Sequence, residues 1–258
     1  MKRYIYIMLA LVMGATGCKM TDGYERNPID VGVYIGQEVV QRYQSTMYYA
    51  DKAIIADWYL STEDEELCEK IGKYLSSFYY DNCDVELEND TVRIVYHYIY
   101  KPTNEEREVV LDQFTTDGKL LSEGGTWILQ NYCTITSNGD GGYIVTDNDP
   151  SGSIECELQL TSIELDAESG ISYDLEGYLN IFYHRSTADK DVYLSYETDI
   201  TETLVRQNDS SSAIFKSGAI HAVCDDWRYD KHDEVDIILN SSKGARVIYL
   251  GEDGYIRQ

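Results

Sequence analysis

The sequence predicts an α+β fold: an N-terminal helical hairpin over residues 34–80, followed by a large antiparallel β-sheet meander over 84–258. Three observations carry this. Apolar residues recur at helical spacing before residue 80, and the period switches to two after Asp84. No second long helical pattern interrupts the strand-like runs that follow, which removes the crossovers that a parallel sheet needs.

Val40, Tyr43, Met47, Ala50 and Ile54 line one face of a helix placed at 34–59. Ser61 and Asp64 resemble a capping box, and Glu63, Glu65 and Glu66 suit the positive end of a second helix. Its apolar stripe is Leu67, Ile71, Leu75 and Phe78. The short gap between the two patterns makes the helices antiparallel. Tyr48-Tyr49 and Tyr79-Tyr80 read as one core ring and one surface ring each.

In the run 91–100, Val92, Ile94, Tyr96, Tyr98 and Tyr100 share one face, with Arg93, Val95, His97 and Ile99 on the other. Further strand-like runs are 107–114, 126–136, 142–146, 153–165, 171–184, 190–198, 213–224, 234–240 and 245–250. Gly, Asn and Asp clusters separate them. Pro28, Pro102 and Pro150 fall in the tether or in turns, as the missing N–H demands. One hairpin has a predicted register. A turn at Ala167–Gly170 sets Ile154 opposite Tyr183, Cys156 opposite Ile181, Leu158 opposite Leu179 and Leu160 opposite Gly177. That places Leu158, Leu179 and Ile181 in the core.

The charge balance excludes one class of partner. With Asp+Glu 46 against Lys+Arg 21, the net charge is −25, which repels phosphate backbones, so no nucleic acid is expected. Hydrophobic residues at 43% are ordinary for a folded chain, whereas 24 Tyr beside 4 Phe is not.

The N-terminus carries the most specific signal. Lys2 and Arg3 precede an apolar run, Tyr4 to Met13, which is too short to span a bilayer. Small residues lead to Cys18. The segment resembles a bacterial lipoprotein signal, with Ala15-Thr16-Gly17-Cys18 as the lipobox, in which Ala15 replaces the usual Leu. The Tyr-, Asp- and Asn-rich body resembles exported lipoproteins of Bacteroides-like bacteria. The resemblance implies a signal peptide over 1–17, a lipidated tether over 18–30, and one domain over 31–258. It also implies lipidation of Cys18, attachment to the membrane through that lipid, and a cell-envelope, outer-membrane location facing either the periplasm or the exterior. Asp90-Thr91-Val92 is similar to the short motif glycosylated on Thr or Ser in such proteins.

Cys68, Cys83, Cys133, Cys156 and Cys224 remain after Cys18, with no CxxC or zinc spacing. Asp147 to Ile154 matches the first half of a calcium loop, but Leu158 stands where the bidentate Glu belongs, so the run reads as an acidic β-turn. His221 and Cys224 are three apart in a strand and point to opposite faces, which argues against a shared metal with His232. His97 and His184 read as ordinary sheet residues. No metal and no cofactor are expected, and no catalytic motif is present.

Two candidate ligand-binding clusters remain. Residues 225–234 pack Asp225, Asp226, Trp227, Tyr229, Asp230, His232, Asp233 and Glu234 into one connection, where cations or sugars find oxygens beside rings. The other reading is a solvated acidic turn with Trp227 folded back on the core. Tyr96, Tyr98 and Tyr100 form a row that suits a glycan or protein partner, or that covers the wet margin of a core. The leading functional reading is a non-catalytic envelope protein used for binding or assembly. The alternatives are an exported carbohydrate-active hydrolase with an Asp/Glu pair and a structural subunit of a surface assembly.

Overall fold

The computed structural model describes residues 27–78, 83–149, 151–166, 170–187, 190–207, 215–227, 229–240 and 244–256. Cys18, the tether ahead of Asn27, Tyr79-Tyr80, Pro150 and the turn at 167–169 lie outside the described residues.

Two helices precede the sheet. Helix α1 spans Pro28–Ser61, and α2 spans Glu65–Phe78. Pro28 occupies the first turn of α1, where its missing N–H is not needed. The helix therefore starts six residues before the predicted 34 and takes in the end of the predicted tether. The predicted capping box is corrected. Asp64 is itself the cap of α2, accepting the N–H of Glu66 at 2.9 Å and of Leu67 at 3.1 Å. In α2, Ile71 is buried but Leu67 is exposed.

The strands are β1 Cys83–Glu88, β2 Thr91–Tyr100, β3 Glu105–Thr116, β4 Thr126–Ile128, β5 Cys133–Ser137, β6 Tyr143–Asp147 and β7 Ile154–Asp166. They continue with β8 Gly170–Thr187, β9 Lys190–Gln207, β10 Phe215–Asp226, β11 Lys231–Asn240, β12 Gly244–Tyr249 and β13 Glu252–Ile256. They form one 13-stranded sheet in sequence order, and the pairs are antiparallel. This is the predicted meander, with several differences, the first being β1, which precedes the first predicted run. The run 126–136 is two strands, because Tyr132 turns the chain with φ 63°. Strand β9 runs on to Gln207. Strand β13 lies beyond the last predicted run. Its Gly254 hides it from a propensity reading, yet a Cβ there would overlap Val33 of α1.

The sheet curls around α1. Gly32 lies against Tyr249, and Gly36 against Val247 of β12. Further along α1, Tyr43 bonds Thr198 of β9, Lys52 meets Asp112 of β3, and Trp58 donates to Tyr143 of β6. Residues 50 to 57 of α1 are buried without interruption, so this stretch is enclosed on every side rather than packed along one stripe. It carries Asp51, Lys52 and Asp57 into the core. Each is partnered there, as a buried charge must be. Arg206 donates to Asp51 at 2.6 Å, as does the Tyr173 hydroxyl at 2.7 Å. Asp57 accepts the backbone N–H groups of Leu121 and Ser122. Burial still pushes the Asp57 carboxyl above its usual range, more than those two bonds lower it.

The predicted β7–β8 register is off by two. Ile154 pairs with Ile181, Cys156 with Leu179, and Leu158 with Gly177. A bulge between Thr161 and Glu164, with Ser162 at φ 54°, resets the ladder. A slip of two keeps the faces, so Leu158, Leu179 and Ile181 are all buried as predicted.

Candidate functional site

In a meander the connections after even-numbered strands share one end of the sheet. Among the described residues these are 101–104, 129–132, 148–149, 151–153, 227, 229–230 and 250–251. Helix α1 enters at that end, since Ile29 and Val33 face Gly254 and Gly32 faces Tyr249. The same end gathers exposed apolar side chains: Ile99, Tyr100, Tyr132, Trp227, Tyr229 and Leu250. The described turns at the opposite end, 89–90, 117–125 and 138–142, hold none of the exposed large apolar residues. Single exposed apolar side chains are normal, whereas their collection on one rim calls for an explanation.

The tyrosine row sits on the β2–β3 hairpin. Val92 and Ile94 are core, and the same face continues outward as Tyr96, Tyr98 and Tyr100. Tyr96 and Tyr98 stack at 5.9 Å between ring centroids with planes 10° apart. The Arg107 guanidinium lies 4.1 Å from the Tyr100 centroid. Opposite stand Val109, Arg107 and Glu105. Strand β3 pairs with β4 only at Thr115 and Thr116, so no β4 ladder covers 105–114. On α1, Tyr48 and Tyr49 meet edge to face, with the Lys52 ammonium 4.0 Å from the Tyr48 centroid. Burial first, then the Asp112 carboxylate, raises the Tyr49 hydroxyl above its ordinary value. On the hairpin's other face, His97 has Asp84 at 3.2 Å and Glu108 at 3.5 Å.

The acidic run is a hairpin tip. Asp226 pairs with Lys231 and Asp225 with His232, leaving a four-residue turn in which Tyr229 N–H donates to the Asp226 carbonyl. The carboxylates do not converge. Asp225 holds His232 Nδ1 at 2.7 Å, Asp233 accepts the Tyr249 hydroxyl at 2.5 Å, and the Asp226 side chain is buried. The hydrogen bond from Asp225, reinforced by its charge, raises the His232 pKa. Burial and then Asp233 push the Tyr249 hydroxyl up to about 12. Trp227 is 58% exposed and is not folded back on the core. Asp230 takes φ 52° at the turn.

A half-open depression of about 450 Å³ lies near the same end, lined by Arg42, Asn131, Tyr132, Asp149, Ser151, Ser153 and Ile154. Its one carboxylate, Asp149, accepts from the backbone and hydroxyls of Ser151 and Ser153, which lowers its pKa to about 2. This is the acidic turn predicted at 147–154. Arg42 and Asn131 carry no local signal, because a helix residue and a turn residue meet only through the fold.

Of the other positions named from the sequence, the His184 side chain lies outside the described residues. His221 bonds Asp236 at 2.8 Å on the outer face, while Cys224 is buried inward. Cys68, Cys83, Cys133, Cys156 and Cys224 are free thiols, and Cys133 and Cys156 lie 4.0 Å apart. Thr91 begins β2 half-buried, beside Asp90. Among the described residues no group of three His, Cys, Asp or Glu side chains is arranged to hold a metal. Among the described residues no helix is long and apolar enough to cross a membrane. No protein-family model, curated protein or solved structure matches the chain.

Proposed function

We propose that this is a lipid-anchored, non-catalytic cell-envelope protein that binds glycans through an aromatic surface, with the β2–β3 hairpin as its binding face. The observation that carries this reading is the parallel stack of Tyr96 on Tyr98, continued by Tyr100 with Arg107 against its ring. Sugars present C–H faces that stack on such rings, and an adjacent guanidinium and carboxylate supply directed hydrogen bonds. Glu105 and Arg107 stand opposite this row on β3. Three carboxylates near the same end are held by neighbours: Asp225 bonds His232, Asp233 accepts from Tyr249, and Asp149 is tied to two serines.

The anchor is Cys18, after the apolar run and small residues of the signal. The soluble Cys18→Ala chain, screened against envelope polysaccharides and immobilised oligosaccharides, should bind a subset without cleaving them. Tyr98→Ala with Tyr100→Ala should weaken that binding at least tenfold and leave the melting temperature within a few degrees. Absence of any glycan binding by the parent chain would remove the proposal. Release of reducing sugar would replace it with the hydrolase.

A further inference from the structure

Three elements converge at the end where α1 enters. The β10–β11 tip carries Trp227 and Tyr229, the β12–β13 tip carries Leu250, and the start of α1 lies against Tyr249 and Gly254. Leu250 is 75% exposed and takes φ 51°, so the turn holds an aliphatic side chain outward in a conformation that favours glycine. A leucine gains nothing there from the fold.

The path of the chain gives this end a partner. Asn27 is the first described residue, and Cys18 lies nine residues earlier. Nine residues fully extended reach about 30 Å. Helix α1 has 34 residues and is about 50 Å long. A lipid on Cys18 therefore keeps the entry end within about 30 Å of the bilayer, whereas the opposite end, at 117–125, lies about 50 Å further along α1. Trp and Tyr favour the zone where headgroups meet acyl chains, because each ring has an apolar body and a polar tip. Leucine favours the acyl side of that zone.

We infer that Trp227, Tyr229 and Leu250 form a bilayer-facing rim that rests in the interfacial zone of a zwitterionic membrane and fixes the orientation of the anchored protein. The inference rests on the lipidation of Cys18 and goes beyond the binding reading of the β2–β3 hairpin. Charge selects the lipid. Removing residues 1–17 takes away Lys2 and Arg3, leaving 46 acidic against 21 − 2 = 19 basic residues, a net charge of −27. Such a body is repelled by anionic headgroups, so apolar and aromatic contacts act on a neutral surface.

The chain supplies its own reporter. Trp127 is fully buried and Trp58 is half-buried with its N–H on Tyr143, so Trp227 is the exposed member of the three tryptophans. The acylated full chain would be reconstituted into phosphatidylcholine vesicles, with the soluble Cys18→Ala chain as reference. The expected result is a blue shift of tryptophan emission and quenching by lipids brominated near the headgroup. Trp227→Phe should lose both while remaining acylated and vesicle-bound, and Leu250→Glu should reduce the quenching. An acylated, vesicle-bound chain whose emission matches the soluble reference and is not quenched overturns the rim. A Cys18 without acyl chains by mass spectrometry overturns the anchor and the rim with it, but leaves glycan binding by the soluble chain untouched.

Discussion

Arg206 on β9 closes on Asp51 of α1 at 2.6 Å, with side-chain exposures of 5% and 0%. The Tyr173 hydroxyl donates to the other carboxylate oxygen, so three elements share one buried charge. Desolvation and then the Asp51 charge drive the Tyr173 pKa well above its ordinary value, which keeps the hydroxyl a donor. Breaking such a pair leaves a buried ion without a counter-charge. Asp51→Ala should therefore cost about 3–5 kcal/mol in urea unfolding. Replacing the whole set by Asp51→Leu, Arg206→Met and Tyr173→Phe should recover most of that loss. A triple variant no more stable than Asp51→Ala would show that the site confers something beyond charge pairing.

Leu158 and Gly177 are cross-strand partners, and a Cβ on Gly177 would overlap the Glu157 carbonyl oxygen. Gly177 also sits at φ 115°, a conformation that side chains resist. Leu158→Ala should cost about 2–5 kcal/mol through the cavity it leaves. Gly177→Ala should destabilise by strain rather than by a cavity. Adding volume at a neighbouring core position would then not rescue it. Unfolding midpoints of the two single variants and a combined variant decide this, and an unchanged midpoint for Gly177→Ala would contradict the register.

His232 and Asp225 form a pH-sensitive pair at the β10–β11 tip. The Asp225 hydrogen bond raises the folded-state pKa of His232 above its ordinary 6.5. A raised histidine pKa means the folded state binds the proton more tightly. The pair's stabilisation is therefore fully present below pH 6.5 and is lost as pH rises through the folded-state value. His232 is exposed, so the effect belongs to the local turn and is weakened by salt. Imidazole proton shifts should titrate above the ordinary value, and Asp225→Asn should bring the midpoint down. An unchanged midpoint in that variant would assign the shift to another neighbour.

Calcium should leave the protein's melting temperature unchanged relative to EDTA at matched ionic strength. Asp225 bonds His232, Asp233 accepts from Tyr249, no group of three such side chains is arranged for a metal among the described residues, and the carboxylate of Asp149 is filled by serine donors. A saturable rise with micromolar calcium, abolished by Asp226→Asn with Asp230→Asn, would show that the tip rearranges to bind a cation.

The order of elements was readable in the chain because it rests on local periodicity. Val40 through Ile54 repeat at the helical period, and Val92 through Tyr100 alternate. Cys224 and His221 point to opposite faces for the same reason. The β7–β8 faces were also readable, since a slip of two preserves the alternation, although the register was not. Asp51, Lys52 and Asp57 look like the wet side of an amphipathic helix, and the rim is legible only as scattered aromatic residues.

What the chain order could not settle was decided by curvature and close approach. Gly32, Gly36 and Gly254 let the start of α1 come close to β12 and β13, and further along, the approach of β3 and β9 turns Lys52 and Asp51 into core residues. The bulge at Thr161–Glu164 sets the partner of Leu158, and the meander's geometry carries Trp227, Tyr229 and Leu250 to the end where the chain enters. Local pattern specifies which face of an element is apolar. Which elements meet, and which charges they bury between them, depends on contacts between residues more than a hundred positions apart, such as Asp51 and Arg206.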